Sequence, residues 1–171
     1  MSESENENLP ESRTRTFSWA DPTVGAKAAT SMSGMEYFEA MKRGDLPGPP
    51  IMSLMNIQVS EIEEGRIVFT VEPAEYHYNP IGAVHGGLAC TLFDSAMSCA
   101  VHTTLPKGVG YTTLELKVNF LRPMTRETGP VFCEGKTLYV GRRTATAEAR
   151  LTDVSGKLYG HATTTCMIFR P

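Results

Sequence analysis

The chain is poor in the residues that would tie it to several common classes. It has four cysteines and one tryptophan in 171 residues. Cys90, Cys99, Cys133 and Cys166 form no Cys-x-x-Cys pair, and their neighbours are mostly small or apolar. They read as reduced, buried thiols in a cytoplasmic protein. Neither His161 with Cys166 nor His85 with Cys90 has metal-ligand spacing, so no metal is expected. The longest nearly uncharged stretch, Tyr76 to Pro106, is broken by Gly, Asn, His, Ser and Thr and contains Asp94. It falls short of the roughly 20 apolar residues of a membrane-spanning helix. The start is polar and acidic, without a basic or an apolar region, which predicts no secretory signal. Ser95 and Ser98 lack a Gly-x-Ser-x-Gly context, and there is no Walker or dinucleotide loop.

Charge is also nearly absent as a signal. The formal net charge is −3. Glu3, Glu5, Glu7 and Glu11 account for it; without them the balance is +1. A nearly neutral body does not offer the basic face that duplex nucleic acid requires. Hydrophobic residues at 41% and charged residues at 20% describe an ordinary globular chain.

The periodicities give an order of elements. Residues 1 to about 30 are rich in Ser, Glu, Asn, Thr and Ala and read as loose, with Phe17 and Trp19 available to dock on the body. Ser33 with Glu36 forms a capping-box pattern before Met35, Phe38 and Met41, and Gly44 is a natural stop; this predicts a helix over 33–43. Asp45-Leu-Pro-Gly-Pro-Pro50 reads as a stiff connector that is neither helix nor central strand. A hairpin is expected around Glu63-Glu64-Gly65. An irregular approach over 73–84 leads into an apolar helix from Gly86 to about Val101. Thr112–Arg122, Val131–Val140, Arg143–Thr152 and Leu158–Phe169 read as strands. Together these predict an α+β domain over 46–171, an antiparallel sheet with a helix on one face, preceded by a 1–45 extension.

Chemistry concentrates in Asn79-Pro-Ile-Gly-Ala-Val-His-Gly-Gly-Leu-Ala-Cys-Thr-Leu-Phe-Asp94. Two glycines at a helix N-terminus leave backbone N–H groups uncovered, which suits an anion or a developing oxyanion. Asp94, inside an apolar helix, is costly to bury unless paired or used, and such a carboxylate can serve as nucleophile or general base. The bland alternative is a tight helix entry, a capping His and a solvent-facing or paired Asp. Nine residues separate His85 from Asp94. At about 100° per residue that is about 900°, so the two point to opposite sides of the helix. If both act on one substrate, they come from different subunits.

The pattern Asn79-x5-His85-Gly-Gly-x6-Asp94-x-Ala96 resembles the PaaI-like hotdog-fold acyl-CoA thioesterases. The resemblance covers about residues 50–170. It continues through Tyr111-Thr-Thr-Leu-Glu-Leu-Lys-Val-Asn-Phe-Leu-Arg-Pro123, Gly141-Arg-Arg143 with Ala147-Glu148-Ala149, and Gly160-His-Ala-Thr163. It implies an antiparallel sheet wrapped around one long central helix, subunits joined edge to edge, and a homodimer with composite sites that pairs again into a tetramer. It implies hydrolysis of acyl-CoA thioesters with no cofactor, coenzyme A being part of the substrate. Asp94 then matches the carboxylate that attacks or activates water, and Gly86 matches the N–H that polarises the carbonyl, with Gly87 beside it. Asn79 and His85 match positioning residues. Thr113, or Thr112 one register away, matches the residue that holds the water. Arg122, Arg142 and Arg143 are candidates for the nucleotide phosphates. Leu88, Leu92 and Met97 are candidates for the acyl pocket, and the 33–43 helix can cover a pocket or an interface. A non-catalytic acyl-CoA-binding protein and an acyl-thioester hydratase or dehydratase are the competing readings.

Overall fold

The chain follows its hydrophobic periods closely in a computed structural model that describes residues 12–170. The acidic start therefore lies outside the described residues, apart from its effect on net charge. The element order is α1 (Pro22–Ser31), α2 (Gly34–Arg43), α3 (Pro50–Met55), β1 (Gln58–Glu63), β2 (Arg66–Val71), α4 (Gly86–Thr103), β3 (Gly110–Phe120), β4 (Val131–Val140), β5 (Thr144–Asp153) and β6 (Leu158–Phe169). The six strands form one antiparallel sheet in the order β1-β2-β4-β5-β6-β3. Strands β1 and β3 are its edges, and α4 packs across β4, β5, β2, β3 and β6. This is the hotdog arrangement, with an N-terminal helical segment added.

The helix comes unusually close to the sheet because the sheet supplies glycine and alanine beneath it. A Cβ on Gly135 of β4 would lie 2.2 Å from the Ala96 carbonyl oxygen. Ala147, Ala149 and Ala162 continue the small-residue surface, all nearly inaccessible. Larger side chains of α4, among them Leu92, Phe93 and Met97, fill the space on either side and are fully buried. Leu88, Leu92 and Met97 therefore belong to the core between helix and sheet. The sequence reading placed them in an acyl pocket, and the structure corrects it: an apolar helix alone does not reveal which of its faces meets a ligand.

The extension is more regular than its composition predicts. Residues 22–31, read as loose, form α1, with Asp21 capping through Thr23 N–H (2.9 Å) and Pro22 at the first helical position. The α2 capping box is present, and Gly44 closes it at φ 82°. Pro50, read as part of a non-helical connector, instead starts α3 at the one helical position where proline's missing N–H costs nothing. Phe17 and Trp19 stack on one another, ring centroids 5.4 Å apart, and remain largely exposed rather than docked. Arg15 ties this region down: its guanidinium donates to the Ser53 and Leu54 carbonyls at the end of α3 and lies 4.1 Å from the Tyr76 ring centroid.

The register of β3 has a defect with consequences for the site. A bulge between Thr113 and Glu115 shifts the alternation. Tyr111 and Thr113 face inward before it, and Leu116 and Val118 after it; Leu114 is left half-exposed. Adding a methyl group at Gly135 should force α4 off the sheet. Gly135→Ala is expected to cost about 1–3 kcal/mol, several degrees of melting temperature, in a thermal melt. An unchanged melt would contradict the close-packing account.

Candidate active site

The site begins where the chain enters α4. Asn79 closes the approach: its Oδ1 accepts from the Ile81 and Ala83 N–H groups (3.0 and 3.1 Å), and its own N–H donates to the Ala83 carbonyl (2.7 Å). The loop is fixed at both ends. Val84 N–H donates to Met124 O (2.9 Å) and His85 N–H to His77 O (2.8 Å). The buried His77 takes the Ala74 N–H on Nδ1 (3.1 Å), so Nε2–H donates to Met55 O (3.0 Å) at the end of α3. Burial pushes the His77 imidazole below its usual range, which keeps it in this neutral state.

His85 is the N-cap of α4. Its Nδ1 accepts from Gly87 N–H (2.8 Å), so in the neutral ring the proton sits on the exposed Nε2. Gly87 thus has its donor already engaged, and it is not available to a ligand in this arrangement. Gly86 differs. No acceptor for its N–H is found among the described residues. It faces a cavity of about 380 Å³ shared with Asn79, Phe120, Arg122 and Pro123. A Cβ at Gly86 would lie 3.1 Å from the Phe120 ring.

Asp94 lies eight residues further along α4. Thr113 Oγ1 donates to its Oδ1 (2.7 Å), and no other hydrogen bond reaches the carboxylate among the described residues. The β3 bulge produces this contact, because it lets Thr113 face α4 while the later residues keep their own inward phase. Thr112 takes no part in the hydrogen bond, although it lines the adjoining cavity. Asp94 is exposed in the single chain. It opens on two spaces. One is a cavity of about 600 Å³ bounded by Ser95, Cys99, His102 and Tyr111 and by extension residues such as Tyr37 and Met41. The other is an open cleft along β3 with Ile51, Cys90, Thr91, Leu114 and Leu116.

The predicted residues therefore fall into three groups. Asp94, Thr113 and Thr112 share one cavity; Gly86, Asn79 and Arg122 share another. Arg122 also donates to the Leu158 carbonyl. Arg142 and Arg143 sit exposed on the β4–β5 turn and line neither cavity. The 33–43 helix, expected to cover a pocket or an interface, walls the Asp94 cavity with Tyr37 and Met41; Met52 of α3, which joins that wall, carried no signal in the sequence.

Asn79 holds the loop through its acceptor oxygen, which Asp reproduces and Ala does not. Asn79→Ala is expected to lose about 1–2 kcal/mol in chemical denaturation, and Asn79→Asp much less. Equal losses would show that the side chain does not close this loop.

Comparison with known proteins places the fold in a family. Residues 81–159 match the thioesterase superfamily. A Saccharolobus solfataricus protein, named provisionally as an esterase, is 31% identical over 77% of this chain and 89% of its own length. A Listeria monocytogenes protein named 1,4-dihydroxy-2-naphthoyl-CoA hydrolase is 25% identical over 63% and 86%. Among solved structures, a Ralstonia eutropha thioesterase-like protein related to phenylacetic acid degradation superposes with TM-score 0.70 at 28% identity, covering 77% of this chain and 98% of that one. The Escherichia coli PaaI protein shares the fold at TM-score 0.69 and 18% identity, over 81% and 96%. The motif around His85-Gly-Gly and Asp94, the six-stranded wrap around α4 and these relatives agree: the chain belongs to the thioesterase superfamily of hotdog proteins.

Proposed function

We propose that the protein hydrolyses acyl-CoA thioesters to the free acid and coenzyme A. The observation that carries this reading is Asp94: one oxygen is fixed by Thr113, and the carboxylate opens on a cavity with one apolar wall, Phe38, Met41 and Met52. A thioester carbonyl is electrophilic and a thiolate leaves readily. One oriented carboxylate and one carbonyl-polarising donor suffice, and this route uses no metal or cofactor. Asp94 either takes a proton from water as its oxygen bonds to the carbonyl carbon, or attacks that carbon itself and is released by water. In both cases the C–S bond breaks, coenzyme A leaves as the thiolate, and water supplies the oxygen of the acid.

The donor is assigned to Gly86 of a second copy. Within one chain Gly86 and Asp94 are about 12 Å apart along the helix, on different cavities. Strand β3 is a free edge carrying the half-exposed Leu114 and Phe120. Cys90, midway between Gly86 and Asp94 on α4, lies in the same cleft as Leu116, close to midway between Thr113 and Phe120 on β3. A two-fold axis through that cleft pairs β3 with itself antiparallel. It sets Gly86 and Phe120 of each copy against Asp94 and Thr113 of the other. Arg122, beside Gly86, then receives the phosphates of coenzyme A, with Arg142 and Arg143 as further candidates.

The name of the Listeria relative supports the CoA-thioester class. The test is thiol release from a panel of aryl- and fatty-acyl-CoAs. Asp94→Asn is expected to lower kcat about 100-fold or more with the melting temperature retained. Binding of CoA thioesters without any thiol release would instead identify a non-catalytic binding protein.

A further inference from the structure

The N-terminal extension closes the Asp94 cavity, and the cavity ends on an unusual group. Tyr37, Phe38 and Met41 of α2, with Met52 of α3, form one wall. The sheet and α4 form the other, through Phe69, Cys99, His102 and Tyr111 among others. The wall is seated by a close backbone approach. Gly34 N–H donates to Leu105 O (3.0 Å), and a Cβ on Gly34 would lie 1.7 Å from the His102 carbonyl oxygen. Thus α2 starts over the His102 end of α4, while Ile51 of α3 reaches the cleft at Asp94.

His102 is 6% exposed and lines this cavity. Three aromatic rings surround it: Tyr111, Phe38 and Tyr37, with centroids 5.0, 5.4 and 5.5 Å away. Among the described residues its ring nitrogens have no hydrogen-bond partner and no acidic side chain pairs with it. Burial lowers its pKa to about 4, so the ring is neutral, with one donor and one acceptor nitrogen. The ring nitrogens are not sealed from that cavity: among the described residues the buried side-chain polar atom without a partner is Thr137 Oγ1. His85 and His77, by contrast, both make hydrogen bonds.

From Asp94 to His102 the helix rises about 12 Å, and both residues line the same cavity. An extended chain advances ~1.2 Å per bond, so a group reaching from one to the other is of medium length, about eight to ten bonds. We propose that His102, with the wall formed by Tyr37 and Met41 of the extension and Met52 of α3, selects acyl groups of medium length that carry a hydroxyl or keto oxygen at their far end. The wall packs the apolar stretch and the imidazole reads the terminal oxygen. This rests on the Asp94 cavity being the acyl site.

The test uses binding, so it does not depend on turnover. Non-hydrolysable thioethers, S-octyl-CoA, S-(8-hydroxyoctyl)-CoA and S-(3-hydroxyoctyl)-CoA, are titrated into the full chain by calorimetry. The 8-hydroxy compound is expected to bind about five- to tenfold more tightly than the other two. That preference should vanish in His102→Phe, which keeps the aromatic packing, and persist in His102→Gln, which keeps a donor and an acceptor. Met41→Trp, which leaves α4 untouched, should weaken all three octyl compounds about tenfold and leave S-ethyl-CoA unchanged. No preference in the wild type, the same preference in His102→Phe, or equal weakening of S-ethyl-CoA by Met41→Trp would overturn the proposal. Loss of hydrolysis in the thiol assay with these binding differences intact would overturn only the enzymatic reading.

Discussion

Helix α4 is held rigid on the sheet, and the two groups that the proposed thioester hydrolysis uses, the Gly86 N–H and the Asp94 carboxylate, stand about 12 Å apart along it. Asp94 opens on the cavity walled by the extension, and Gly86 opens on the cavity beside Phe120 and Arg122. No rotamer change brings them together across about 12 Å of helix. The helix cannot bend to do so either, because Gly135 and the alanines of β5 and β6 hold it against the sheet at backbone contact. On the proposed mechanism, the same packing that makes the site rigid makes one chain insufficient. The β3 edge, unpaired among the described residues, is the symmetric route the proposal gives to a second copy.

Around this constraint the small irregularities take on a purpose. The bulge in β3 gives Asp94 its one hydrogen bond while preserving the inward phase of Leu116 and Val118. His85 caps the helix through Gly87 and so leaves the Gly86 donor as the one facing a cavity. His77 links the loop before α4 to the end of α3, which couples the entry of α4 to the seat of the N-terminal helices. The extension in turn depends on Gly34, where nothing larger fits.

Much of this was legible in the chain. Alternation located β4 and β6 to the residue, β5 within one and β3 within two, and the β1–β2 turn was placed at Glu63-Glu64-Gly65; the capping box located α2, and the half-turn argument separated Asp94 from His85 before any coordinates. What was missed depends on contacts between distant segments. Helix α1 has little amphipathic pattern, and only Asp21-Pro22 announces it. Leu88, Leu92 and Met97 look like pocket residues because α4 is apolar on most of its circumference; only the docked sheet shows that they are core. The choice of Thr113 over Thr112 is made by a bulge without a local signature. His102 resembles any helix-end histidine until the extension folds over it.

The most direct measurement is complementation between two inactive chains. Gly86→Pro removes the donor, at a first helical position where proline is tolerated and after an extended His85, while Asp94→Asn removes the carboxylate. Co-folded in equal amounts, the variants form mixed dimers with one intact site in each. Activity is then expected to return to about a quarter of wild type. If mixed dimers are present by mass spectrometry and activity stays at the level of the parent variants, the two groups do not act across the subunit boundary, and the composite site is wrong.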